Sequence, residues 1–137
     1  MGPTENTSQF KLVFVRLRDI LTKNADGLTI EPNQDDHYGL TAPIGPATIR
    51  VWGGKVKSPT IPVAWVQVGK AYVSYHLMGV YGNPKLLDGV SKKLLARMQG
   101  KSCFNFKTVD EELFEELERL TVKSITGMRK AGFISEE

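Results

Sequence analysis

Trp65, Gln67, Tyr72, Ser74 and His76 alternate along two β-rich runs. Alternation places such residues on one face of a hairpin. Aromatic walls with a few convergent polar tips are what a small-molecule site requires. Trp65 and Tyr72 combine stacking area with a hydrogen-bonding handle. His76 titrates near neutral pH, so it can orient a ligand or shuttle a proton. Tyr81 and Lys101 are expected near the rim. The plainer account of the same residues is a half-exposed sheet face, or one buried against a second copy of the chain.

Other side chains offer weaker chemistry. Cys103 is the only cysteine. Beside His76 it would make a thiol nucleophile with its base. No acid stands ready to orient the imidazole, and a lone strand cysteine ordinarily behaves as a small buried hydrophobe. Asp35, Asp36 and His37 carry ligand atoms, but a metal site needs three or four donors in the right geometry. In a Pro-rich stretch they read as a solvated turn. Asp110, Glu111, Glu112, Glu115, Glu116 and Glu118 crowd the start of the last helix, where acids favour the positive end of the macrodipole. Lys92, Lys93, Arg97, Lys101 and Lys107 form a modest basic patch. Neither a phosphate-cradling loop nor a dinucleotide glycine pattern is present, and Gly53-Gly54 lacks the spacing. No catalytic residue, metal or cofactor is assigned.

Elements must position these groups. Phe10, Val13, Phe14, Leu17, Ile20 and Leu21 recur at helical spacing, predicting a helix from Thr7 or Ser8 to Lys23. Residues 1–6 are expected to be flexible. Residues 28–60 are broken by Pro32, Pro43, Pro46, Pro59 and Gly53-Gly54 into short strands, with Leu28–Glu31, Tyr38–Thr41 and Thr48–Trp52 as candidates. Ile61–Val68 and Ala71–Met78 flank Gly69-Lys70, which suits a two-residue hairpin turn. That turn pairs Trp65 with Ser74, Val63 with His76, and Gln67 with Tyr72. One face is then Ala64, Val66, Val68, Val73, Tyr75 and Leu77, the expected core. A helix opens at Asn83-Pro84, with Ser91 capping a second piece. Ser102–Lys107 is a strand with Phe104 and Phe106 on one side and Cys103 and Asn105 on the other. The last helix opens with a capping box from Thr108 to Glu111, carries Leu113, Phe114, Leu117, Leu120 and Ile125 inward, and ends near Gly132.

This order predicts a single α+β domain over residues 1–137, a mostly antiparallel sheet with helices on one face. The 137 residues carry 18 basic and 15 acidic side chains, a net charge of +3, and 41% are hydrophobic. Such a length buries a core without staples. The weak charge and the missing recognition motifs argue against nucleic acid. No apolar run reaches membrane-spanning length, and no signal peptide is read. One cysteine suits a reducing compartment, so a cytoplasmic protein is expected.

The stretch from about Ile49 to Ser124 resembles the YdhG-like proteins (domain-of-unknown-function family 1801). The residues that carry the resemblance are the Gly69-Lys70 hairpin tip, Tyr75-His76-Leu77, Gly100-Lys101, the strand Cys103-Phe104-Asn105-Phe106, and the acidic start of the last helix. The long segment Leu28–Thr48 departs from the family pattern, as does a strand beginning Ser-Cys-Phe-Asn-Phe where a more basic or threonine-containing start belongs. The resemblance implies a small sheet with helices packed on it and no defined activity. Some members are described as frataxin-like iron chaperones, which would use the acidic residues of the last helix. The expectation from the residues themselves is a small-ligand or partner-binding domain, more plausibly not an enzyme, using Trp65, Gln67, Tyr72, Ser74 and His76. A homodimer through that face is the alternative partner.

Overall fold

Val13, Phe14, Leu17, Ile20 and Leu21 bury one stripe of helix α1 (Pro3–Lys23) against the sheet. This is a computed structural model, and it describes residues 3–135. The helix starts at Pro3, so neither Thr7 nor Ser8 marks its beginning. The expected flexible start at residues 1–6 thus falls partly outside the described residues and partly in α1.

Strands β1 (Thr29–Asn33) and β2 (His37–Pro43) form a hairpin whose turn holds Asp35 and Asp36, both exposed. Helix α2 (Pro46–Val51) follows. The predicted strand at Thr48–Trp52 is therefore corrected to helix: Pro46 presets the first turn, and three hydrogen bonds tie it to the end of the chain. Gly45 N–H donates to Phe133 O, Ala47 N–H to Gly132 O, and the Thr48 hydroxyl to Phe133 O. Strands β3 (Thr60–Val68) and β4 (Val73–Leu77) come next, then the short helix α3 (Met78–Gly82), a 3-10 turn (Pro84–Leu87), α4 (Lys92–Leu95), β5 (Met98–Gln99), β6 (Cys103–Phe106) and the long helix α5 (Glu111–Ala131). The helix expected from Asn83, with its second piece capped at Ser91, is thus two short pieces, the 3-10 turn and α4. Gly89 takes a positive φ of 83° between them, and the Ser91 hydroxyl caps α4 by accepting from Leu94 N–H.

All six strands pair antiparallel in the order β1-β2-β3-β4-β6-β5, and the chain is an α+β fold. Leu40, Ala64, Val66, Tyr75, Leu77 and Phe104 are fully buried on one face, beneath α1 and α5. Leu113, Phe114, Leu117, Leu120 and Ile125 supply the facing stripe of α5. Asp110, not Thr108, caps α5: its carboxylate accepts from Leu113 N–H at 3.1 Å, which holds it below the usual carboxylate range. Gly132, with φ 80°, ends the helix as expected.

The β3–β4 register differs from the tight-turn arithmetic. Val68 pairs with Val73, Gln67 with Ser74, Val66 with Tyr75, and Trp65 with His76. The loop is Gly69–Tyr72, closed by Gly69 N–H donating to Tyr72 O at 2.9 Å. The slip is two residues, so the side chains from Ala64 to Val68 and from Val73 to Leu77 keep their faces while their partners change. This register sets Val66 against Tyr75 and Ala64 against Leu77, all four fully buried. Val63 is also corrected. A register shift opposite Leu40 and Thr41 turns it inward, where it is fully buried.

Candidate functional site

The sheet face opposite the helices carries two straight rows. Gly39, Trp65, His76, Cys103 and Gln99 occupy one, each paired with the next across the strands. His37, Gln67, Ser74 and Asn105 occupy the other. All five predicted residues therefore share this side, Tyr72 reaching it from the loop. Trp65, Tyr72, Ser74 and His76 are half-buried, and Gln67 is exposed.

Trp65 and His76 stack with ring centroids 4.5 Å apart and planes inclined by 11°. Direct opposition across the strands produces this geometry, because paired side chains stand one strand spacing apart. Gly39 completes the row without a side chain. A Cβ there would approach Trp65 Cβ to 3.0 Å, so glycine leaves the indole its place.

Beyond His76, its Nε2 lies 3.6 Å from Cys103 Sγ. The remaining polar groups form a directed chain. Cys103 Sγ (3.3 Å) and Ser74 Oγ (3.0 Å) both donate to Asn105 Oδ1. Asn105 Nδ2 donates to Gln99 Oε1 at 2.8 Å, and the Tyr72 hydroxyl donates to the same oxygen at 3.1 Å. Gln99 and Gly39 were not singled out by sequence reasoning, Asn105 was only assigned a strand face, and His37 was weighed only as a metal ligand beside Asp35 and Asp36. Strand parity places Asn105 with Cys103, but only cross-strand register brings either to His76.

Electrostatics holds the His76–Cys103 pair neutral. Burial, and secondarily the charge of His37, lowers the imidazole below its usual value. Burial raises the Cys103 thiol, opposed in part by Ser74. A thiol beside a neutral imidazole is a poor nucleophile at neutral pH. Alkylation of Cys103 by iodoacetamide at neutral pH is expected to run about tenfold slower than that of a free thiol, and to keep accelerating above pH 9. Rapid labelling with a plateau below pH 7 would instead identify a thiolate–imidazolium pair.

The acidic residues of α5 are largely engaged by the protein itself. Glu111 accepts from Arg16 at 2.8 Å, Asp110 meets Lys93 Nζ at 3.3 Å, and Glu118 meets Lys23 Nζ at 3.9 Å. Glu116 accepts from Ser91 N–H and Oγ. Among the described residues no group of three or more His, Cys, Asp or Glu side chains is arranged to hold a metal ion, and no helix is long and apolar enough to cross a membrane. Compared with known proteins, the chain matches no family model, no curated protein and no solved structure.

Proposed function

We propose that this chain is a binding domain for a small ligand that settles on the Trp65–His76 stack. The observation that carries the reading is the stack itself, standing on the sheet face away from the helices beside the directed line from Cys103 to Tyr72. Aromatic rings cover an apolar part of the ligand. Neutral His76, Gln67 and Ser74 hydrogen-bond its polar groups. His76 and Cys103 both favour their neutral forms, which suits hydrogen bonding to a ligand rather than covalent attack on it. The proposal takes the chain as YdhG-like on its short motifs and as cytoplasmic on its single cysteine. A frataxin-like iron role fits less well, because α5 spends four of its carboxylates on Arg16, Lys93, Lys23 and Ser91.

The test is an NMR screen of metabolite-sized fragments, monitored at the Trp65 indole and the His76 imidazole. Trp65→Ala is expected to weaken each hit at least about tenfold while costing about 2 kcal/mol of stability, the worth of a half-buried stacked ring. Unfolding by the substitution would make Trp65 a core residue. Light scattering that gives twice 15.2 kDa, with the indole protected in the free protein, would assign the face to a dimer instead.

A further inference from the structure

A cavity that the Trp65–His76 reading does not use lies between α2, α3, the start of β3 and the end of α5. It is an open groove of about 430 Å³ lined by Trp52, Pro62, Met78, Tyr81, Met128 and Phe133, with Tyr81 and Val51 exposed at its mouth. That size falls within the range of small-molecule sites. No lining residue is charged. Thr48, also in the wall, spends its hydroxyl proton on Phe133 O. The walls are well anchored: α2 is bonded to the end of α5, and Gly79 of α3 sits directly against Ser124 of α5.

Along the sequence, the stretch that supplies most of the lining is basic. Between His37 and Leu87 the chain contains no Asp or Glu, yet it carries Arg50, Lys55, Lys57, Lys70 and Lys85. Eight of the ten lining residues come from this stretch. Lys101 places its ammonium 5.8 Å from the centroid of the Tyr81 ring, over the wall of the cavity. A cationic ligand would meet Lys101 on that ring and no lining carboxylate, whereas an anionic one gains a countercharge. Methionine and aromatic walls adapt to a flexible apolar body.

We propose that this cavity binds a small amphipathic carboxylate, with its apolar body between Trp52, Met78 and Met128 and its anionic head toward Lys101. The site shares no lining residue with the Trp65–His76 stack.

The test uses decanoate, with decan-1-ol and decyltrimethylammonium as comparison probes of matched chain length. The chain has two tryptophans, so in a Trp65→Phe background the emission of Trp52 alone reports occupancy. Decanoate is expected to shift that emission saturably below its micelle-forming concentration, and to bind at least about fivefold tighter than decanol, with the ammonium weakest. Lys101→Ala should reduce the decanoate-over-decanol preference about threefold, a surface ion pair's worth. Val51 lines the cavity yet is 72% exposed, so Val51→Glu should fold normally and weaken decanoate at least about tenfold by placing an anion at the mouth. Equal binding of decanol and decanoate would overturn the proposal, as would undiminished binding to Val51→Glu. A Trp52 response to phosphatidylglycerol vesicles but not to monomeric decanoate would overturn it in favour of a membrane surface.

Discussion

Gly79→Ala is expected to lower the melting temperature by about 10 °C, corresponding to about 3 kcal/mol of overpacking. A Cβ at this position would lie 2.3 Å from Ser124 Oγ and 2.5 Å from the Ser124 carbonyl oxygen. The first atom belongs to a small side chain, but the second is backbone in the middle of α5. Relief therefore requires α3 and α5 to separate. Because α3 follows β4 without a loop, that movement pulls on the strand holding Tyr75 and His76. Gly127→Ala is the matched control: it lies on the same long helix, and a Cβ there meets nothing within 4 Å. That substitution should stabilise by about 1 kcal/mol, since glycine in a helix interior wastes backbone entropy. Thermal melts by circular dichroism check both. A Gly79→Ala melt within about 2 °C of the parent would show that the two helices pack more loosely than the structure describes.

Tyr75 carries the other large effect. It is fully buried, and its hydroxyl lies 2.6 Å from Thr121 Oγ1, which in turn donates to Leu117 O at 2.8 Å. The Thr121 proton is committed to Leu117, so the Tyr75 hydroxyl is the donor. Tyr75→Ala should cost about 4 kcal/mol, as expected for emptying a buried aromatic site. Tyr75→Phe removes only the hydrogen bond and should cost about 1 kcal/mol. The two variants also separate in alkali. Burial raises the Tyr75 hydroxyl well above its ordinary value, so the folded protein retains a proton that the unfolded chain releases. Its contribution is fully present below about pH 10 and falls as pH rises beyond the ordinary tyrosine value. Chemical denaturation at increasing pH should show this loss in the parent protein and a shallower decline in Tyr75→Phe. Identical slopes would mean that the hydroxyl reaches solvent.

Local pattern carried much of the architecture. The apolar stripe Val13–Leu21 and the stripe Leu113–Ile125 each identify a helix, because helical spacing repeats over several turns. Alternation in Ile61–Val68 and Val73–Leu77 separates the core face from the polar face, and Phe104 and Phe106 separate from Cys103 and Asn105 in the same way. Failures concentrate where segments are short. Thr48–Trp52 has β-branched and aromatic character, yet its bonds to Gly132 and Phe133 make it helical. Those partners lie more than eighty residues away, beyond any local signal. The inward turn of Val63 likewise depends on a register shift against β2.

The amino-acid sequence by itself determined that the chain is α+β, which residues of the long helices and of the regular strand runs face the core, and that Trp65, Gln67, Tyr72, Ser74 and His76 share a side. These follow from periodicity, which is a property of one segment at a time. Only the tertiary structure decided that Trp65 stacks on His76, that Cys103 lies beside that histidine, and that Trp52, Met78 and Met128 line one groove. Such facts depend on register between strands and on contacts between distant helices, and the free energy that selects them comes from burying Tyr75, Phe104 and Leu117 together.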